Sequence, residues 1–232
     1  MKHALLGLIA ETSIHAGAGK AVGVVDLAVG DARLLLLPVR SLTSHFKWVT
    51  CPALLKRAAA DAKRLGITSA VESPVEPKDE TVYTPENEGS LFLEEFHFTA
   101  QRHNLCDLIA WLAQFVGGDF AERLKNQLVI VSDDMFSHLA QYTTAVTPHI
   151  AIDNTSKTVK NGALWYEETL SPETVLYVAL AADASRKNPK EKTAQHMLEA
   201  TLALFPHDHP YLQLGGNETV GMGWCRVKQV GA

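Results

Sequence analysis

The sequence predicts an α+β fold of two ferredoxin-like halves, residues 1–100 and 101–232. Apolar runs of strand length, several rich in β-branched or aromatic residues, recur along the chain. Stretches with apolar residues at helical spacing fall between them, and proline and glycine punctuate the joins.

Residues 5–10 form the first expected strand, an apolar stretch that turns polar at Glu11. Residues 32–39 are a continuous apolar run, as in a buried strand. Residues 46–50 are β-branched and aromatic, so the two are expected to pair as a hairpin turning at 40–44. Pro52 opens a helix, because its missing N–H costs nothing in a first turn; Leu54, Leu55, Ala58, Ala62 and Leu65 follow at helical spacing and Gly66 closes it. Residues 71–89 carry Pro74, Pro77 and Pro85 among many acids without periodicity, which predicts a loop. A strand over 91–98 follows. The second half predicts a helix around 105–115, a strand over 128–131 and a helix capped by Ser132 or Asp133. Strands at 150–152, 163–166 and 175–181 and a helix over 193–204 complete it.

At 232 residues, 47% hydrophobic and 20% charged, the chain can bury a substantial core. Its formal net charge of −5 argues against promiscuous electrostatic binding of nucleic acid and favours a confined groove. Cys51, Cys106 and Cys225 stand far apart without C-x-x-C spacing, so neither a zinc site nor a disulfide framework is indicated, and a reducing cytoplasmic setting fits. The apolar N-terminus is too short to span a bilayer, and no membrane partner is expected.

The densest local signal is Tyr211-Leu-Gln-Leu-Gly-Gly-Asn-Glu-Thr-Val-Gly-Met-Gly-Trp224. Gly215, Gly216, Gly221 and Gly223 allow positive φ and close approach of another backbone, features that suit a phosphate chain, while Asn217 and Glu218 suit turn positions. A second glycine-rich loop follows the first strand and ends in an aspartate: Glu11-Thr-Ser-Ile-His-Ala-Gly-Ala-Gly-Lys-Ala-Val-Gly-Val-Val-Asp26. A Walker A loop would need glycine where Ile14 stands and Ser or Thr where Ala21 stands. Gly17, Gly19 and Gly23 are one residue too widely spaced for the dinucleotide fingerprint, so a nucleotide-binding enzyme is disfavoured.

Several blocks, in order, resemble the Repeat-Associated Mysterious Protein (RAMP) superfamily and, within it, backbone subunits of type III-B CRISPR-Cas (Cmr) effector complexes. They are His15-Ala-Gly-Ala-Gly, Gly23-Val-Val-Asp-Leu27, the run from Asp31 to Leu42, Trp48-Val-Thr-Cys-Pro52, Val131-Ser-Asp-Asp134, Gly162-Ala-Leu-Trp-Tyr-Glu-Glu168 and the run from Leu212 to Gly221. The resemblance spans nearly the whole chain. It implies a tandem ferredoxin-like (RRM-like) fold and an antiviral ribonucleoprotein complex in the cytoplasm, in which copies stack head to tail beside other Cmr effector subunits. It also implies binding of a guide (CRISPR) RNA and metal-dependent endoribonuclease cleavage of the paired target RNA at regular intervals.

Asp26 falls on the family's catalytic position, where a carboxylate can accept the proton of a ribose 2′-OH or hold a divalent cation, Mg2+ or Mn2+. Its bland alternative is a helix N-cap or turn acid. His15 is expected to contact phosphate or assist proton transfer, or else to be a strand-end histidine. The expected RNA contacts are Gly17, Gly19 and Lys20 in the first loop, Arg40 and Ser41 at the hairpin turn, and Gly215, Gly216, Asn217, Gly221 and Gly223 in the loop 214–224. Solvated surface turns are the alternative for each. Asp26 has no second carboxylate nearby in sequence, so a catalytically inactive guide-RNA-binding scaffold remains the other reading.

Between Val29 and Asp31 the family normally places several tens of residues, with an Ile-Pro-Gly-Ser-Ser-Leu-Lys-Gly-like turn and the first helix. That segment is missing here, so the first helix of the N-terminal half is expected to be absent or shortened and the strand at 34–37 to lie uncovered. Residues 186–192 are expected to be a solvated charged loop, and His207-Asp-His209, between Pro206 and Pro210, a rigid exposed loop rather than a metal pair. Trp48, Trp111, Trp165 and Trp224 are expected to serve packing.

Overall fold

The computed structural model describes residues 1–11, 14–15, 27–67, 76–78, 80–86, 88–186 and 189–230. The first part of the chain contains β1 (Lys2–Ala10), β2 (Ile14–His15), β3 (Leu27–Val29), β4 (Arg33–Ser41), β5 (Ser44–Thr50), α1 (Pro52–Arg64), β6 (Thr81–Thr84), β7 (Gly89–Leu93) and β8 (Phe96–Arg102). There follow α2 (Cys106–Ala113), α3 (Phe120–Gln127), β9 (Leu128–Ile130), α4 (Asp133–Tyr142), β10 (Ala145–Ile152), β11 (Val159–Leu170) and β12 (Val175–Ala182). The chain closes with α5 (Ala194–Leu202), β13 (Tyr211–Gln213), a 3-10 turn (Glu218–Val220) and β14 (Trp224–Val230).

Among the described residues, an 11-stranded sheet runs in the order β13-β14-β1-β12-β4-β5-β9-β6-β8-β7, with β3 also paired to β12. The N-terminal strand β1 lies antiparallel between β12 and β14, while β9 pairs in parallel with β5. The sheet is therefore continuous across residue 100. A separate 3-stranded sheet runs β10-β11-β2.

Alternation along β1 divides the core. Leu5 and Ile9 join Leu108, Leu112 and Phe115 on one face, and Ala4, Leu6 and Leu8 join Leu176, Val178 and Leu198 of α5 on the other. Burying each large aliphatic side chain contributes about 1.5–3 kcal/mol, so covering both faces of the central strands supplies much of the driving force.

The missing family segment does not leave β4 bare. From Leu27 to Ser41 the chain contains no helix, and β3 and β4 follow one another along the same edge of β12. Gly30 donates its N–H to the Ala179 carbonyl at 2.8 Å, keeping the passage close to β12. Leu35, Leu36 and Leu37 are all buried: the first two join α1 and α2 residues in one cluster, and Leu37 joins Phe136 and Leu139 of α4 in another. The expectation of an uncovered strand is thus corrected. Leu36 pairs with Val175 and Leu34 with Leu176, so an extra residue in β4 lets Leu35 and Leu36 enter the same cluster.

Helix α1 begins at Pro52 as expected, buries Leu55, Ala58 and Ala62, and is followed by Gly66 at φ 76°. Ser132 caps α4 by accepting from Met135 N–H at 3.2 Å, whereas the Asp133 carboxylate accepts from Ala53 N–H at 2.9 Å in the first turn of α1. Three local expectations are revised. The predicted loop 71–89 contains β6; the predicted strand 91–98 is a hairpin, β7–β8, turning at Glu94 with φ 51°; and α3 stands between the predicted helix and strand. The described part of 186–192 contains neither helix nor strand.

Asp61 ties α1 to the sheet. It accepts from Arg33 at 2.6 Å, Arg64 at 2.7 Å and the Tyr177 hydroxyl at 2.8 Å. Burial works to raise its pKa, but the Tyr177 hydroxyl and the two guanidiniums outweigh it and hold the carboxyl below its ordinary value. Its contribution is present above the unfolded-state value, about 3.9, and is lost as pH falls through the lower folded value. Asp61→Asn is expected to cost about 2 kcal/mol at neutral pH in urea unfolding, with the gap narrowing toward pH 2.

Candidate functional site

One described candidate from each chain end, His15 by its backbone and Asn217 by its side chain, reaches β11. On one edge β11 pairs with β10; on the other, Thr169 lies opposite His15 and Leu170 opposite Ile14. Two residues before Thr169, and on the same face by strand alternation, Glu167 collects side chains from three directions. It accepts from Asn217 Nδ2 at 2.7 Å and from Trp165 Nε1 at 2.9 Å, and His149 Nε2 lies 3.5 Å from its carboxylate. The His149 and Trp165 rings stack at 5.5 Å with 16° between their planes.

Asn217 is the residue of the glycine turn that reaches β11. It adopts φ 62°, and its carbonyl accepts from Val220 N–H at 3.1 Å and Met222 N–H at 3.2 Å. The turn is closed by Leu214 N–H donating to the Gly223 carbonyl at 2.8 Å, and Gln213 Nε2 spans its interior to the Met222 carbonyl at 3.2 Å. Gly215, Gly221 and Gly223 have φ of 82°, 82° and 81°, the left-handed region that the sequence predicts for this loop. Gly216 lies beside them, and β13 and β14 hold the turn at the sheet end.

The first loop starts from the same place. Glu11 N–H donates to the Trp224 carbonyl at 2.8 Å, and Arg226 Nε pairs with the Glu11 carboxylate at 3.1 Å. Both glycine-rich segments are thus anchored at one end of β1 and β14. Asp26, Gly17, Gly19 and Lys20 lie outside the described residues, and His15 is described by its backbone pairing alone. The chain resumes at Leu27, opposite Ala182 of β12.

Arg40 and Ser41 occupy a different place, the tip of the β4–β5 hairpin, with β1 and β12 between β14 and β4 in the sheet. Arg40 is chelated by Glu94, Nε to Oε1 at 3.0 Å and Nη2 to Oε2 at 2.6 Å, and the Ser41 hydroxyl lies 3.2 Å from that of Thr43. The Arg40 side chain remains 84% exposed, so its outward N–H groups still face solvent. Sequence reasoning singled out neither His149 nor Glu167. The signal for Glu167 was its place just beyond the strand expected at 163–166; Trp165 is its neighbour on that strand, but His149 and Asn217 are brought to it by other segments.

Trp48 and Trp111 are buried in the core, whereas Trp165 and Trp224 are each 44% exposed. His207 and His209 are exposed, and among the described residues no group of three His, Cys, Asp or Glu side chains is placed to hold a metal. No helix among the described residues is long and apolar enough to cross a membrane.

The glycine turn gives a matched pair of predictions. At Gly223 an added Cβ would stand 1.9 Å from the Leu214 carbonyl oxygen, whereas at Gly221 it would meet nothing within 4 Å. Gly221→Ala is expected to cost only the left-handed strain, about 1–2 kcal/mol. Gly223→Ala must in addition open the turn, and thermal melts should place it clearly below Gly221→Ala.

A mixed sheet flanked by helices, with both chain ends feeding glycine-rich loops at one strand, defines the class. The RAMP superfamily model matches residues 26–226, and the chain belongs to that superfamily. It is 31% identical over 206 residues to the CRISPR system Cmr endoribonuclease Cmr4 of Pyrococcus furiosus, covering 87% of this chain and 68% of that protein. A crystal structure of oligomeric Cmr4 from Pyrococcus furiosus matches with a TM-score of 0.75 at 24% identity, over 99% of this chain and 98% of that one. A chain in the cryo-EM structure of the type III-B Cmr-beta complex bound to cognate target RNA matches with a TM-score of 0.70 at 16% identity, over 99% and 97%. These two structural likenesses carry the fold.

Proposed function

We propose that this chain is a backbone subunit of a type III-B CRISPR effector complex that binds guide RNA and cleaves the paired target RNA at regular intervals. The observation that carries this reading is the convergence of segments from the two chain ends: Ile14 and His15 pair with β11, Asn217 bonds to Glu167 of the same strand, and Glu11 bonds to Trp224. The relative named a Cmr endoribonuclease supports the cleavage part of it.

In this reading the glycine turn, with Gly215, Gly216, Asn217, Gly221 and Gly223, offers backbone N–H groups to guide phosphates, and Gly17, Gly19 and Lys20 extend the cradle from the other loop. Arg40 and Ser41 contact phosphate at the hairpin tip, through the guanidinium face that Glu94 leaves open. Asp26 accepts the proton of a target 2′-OH, whose oxygen attacks the adjacent phosphorus. The bond to the 5′-oxygen breaks, and that oxygen takes a proton from His15 or water, leaving 2′,3′-cyclic phosphate and 5′-hydroxyl ends. Asp26 would be the residue to hold a divalent cation, Mg2+ or Mn2+, which would supply neutralisation of the charge developing at the phosphate. The strands β10 and β11 present Val146, Ile150, Leu164 and Tyr166 to solvent, an apolar surface suited to the neighbouring copy in a head-to-tail stack.

Reconstitution with guide RNA and the remaining subunits tests the reading. Evenly spaced products with cyclic-phosphate ends are expected; intact target on a fully assembled complex would leave a scaffold function alone.

A further inference from the structure

The short strand β9 leaves a gap in the large sheet. It pairs with β5 only through Trp48, Val49 and Thr50, so the first half of β5 has no strand on that side among the described residues. The space is a cleft of about 610 Å3, whose lining includes Thr43, Ser44, Ser90, Asn126 and Gln127, and it adjoins a second of about 770 Å3 beneath Arg40.

Lys47 is set into this gap. It is 6% exposed, and among the described residues its ammonium has one acceptor, the Asn126 carbonyl at 2.8 Å, and no carboxylate within 4.0 Å. The two arginines at the clefts are already matched: Arg40 by Glu94, and Arg123 by Glu173 at 3.0 Å while it lies 4.6 Å over the Trp48 ring. Glu88 also lines the cleft but is exposed and lies outside ion-pair distance of Lys47. A buried cation with a single neutral acceptor costs free energy that an incoming anion would recover. Burial also lowers the Lys47 pKa, in keeping with a missing counter-charge.

We propose that the cleft between the β4–β5 and β7–β8 hairpins is a phosphate-binding pocket with Lys47 as its floor cation. Hydroxyls and amides line the cleft without adding a carboxylate at the ammonium, which suits one phosphate group better than a metal or a peptide amine. That phosphate belongs either to an RNA backbone passing the Arg40 tip or to a small phosphorylated molecule. Only the RNA source rests on the function proposed above.

The test compares wild type with Lys47→Met, which keeps length and removes charge. In low-salt buffer, inorganic phosphate should raise the wild-type Tm more than sodium chloride of equal ionic strength does, and Lys47→Met should lose that excess. With single-stranded RNA, the variant should show a salt slope shallower by about 1 if the phosphate is an RNA one, and an unchanged slope if it is not. Loss of either response supports the pocket and identifies its source. Responses that are absent in wild type, or identical in Lys47→Met, overturn it. If wild type binds no RNA, the proposed function fails while the phosphate measurement still decides the pocket. Should the variant not fold, acylation of wild-type Lys47 read by mass spectrometry decides instead: phosphate or RNA should protect it relative to exposed Lys56, and no protection overturns the pocket.

Discussion

Gly7→Ala is expected to destabilise the fold by about 4 kcal/mol or more, enough to leave little soluble protein. Gly7 sits in the middle of β1, opposite Tyr177 on one side and Lys228 on the other. A Cβ there would stand 1.9 Å from the Phe115 carbonyl oxygen and within 2.6 Å of two further backbone atoms of Phe115. Relief would require moving the backbone just after α2, and that backbone is pinned. Phe115 is 1% exposed and makes edge contacts with Trp111 at 5.1 Å and Tyr177 at 6.2 Å. Overpacking a side chain into a core usually costs about 1–3 kcal/mol because neighbours repack; backbone against backbone offers no such escape. Gly30→Ala is the reference, since its Cβ would lie 3.2 Å from the Ala179 oxygen and ask for a shift of only tenths of an ångström. Urea unfolding or soluble yield compares the two. A Gly7→Ala protein within about 1 kcal/mol of wild type would contradict the packing of α2 on β1.

The sequence carries the elements whose signals are local. Pro52 and the helical spacing of Leu55, Ala58 and Ala62 mark α1, Ser132 marks the start of α4, and the continuous run at 32–39 marks a strand buried on both faces. Other elements have no comparable signal. The four residues of β6 lie in a proline-rich acidic stretch and are recognisable only as a β-branched cluster, Thr-Val-Tyr-Thr. The β7–β8 hairpin turns on Glu94 with no glycine or asparagine at the left-handed position, and α3 buries only Phe120 and Leu124. The cover over Leu35–Leu37 comes partly from the neighbouring α1 and partly from α2 and α4, the latter two more than sixty residues away, and no local pattern encodes how these helices dock on β4.

The site was legible in part. The glycine spacing at 215–223 predicts the left-handed turn, and the link between the two chain ends is seen in β2 against β11 and Glu11 against Trp224. What stayed hidden is Glu167, to which the fold brings Asn217 and His149 beside its strand neighbour Trp165. The buried Lys47 was hidden for a similar reason: its neighbours Val49 and Trp48 predict an ordinary strand, and its isolation follows from where β9 stops.

Asp26→Ala is expected to have the largest effect on activity. In the proposed chemistry it removes both the acceptor of the 2′-OH proton and the side-chain ligand of the divalent cation. General-base catalysis alone contributes roughly 10²–10⁴-fold. The substitution leaves β1, β11 and the glycine turn unchanged, so guide binding and assembly should persist. The decisive measurement is cleavage of a paired target RNA by the reconstituted complex with Mg2+ or Mn2+, wild type against Asp26→Ala at equal guide occupancy. The account predicts regularly spaced products from wild type and at least about a 100-fold slower rate from the variant with unchanged guide affinity; the same products at the same rate from both would contradict it.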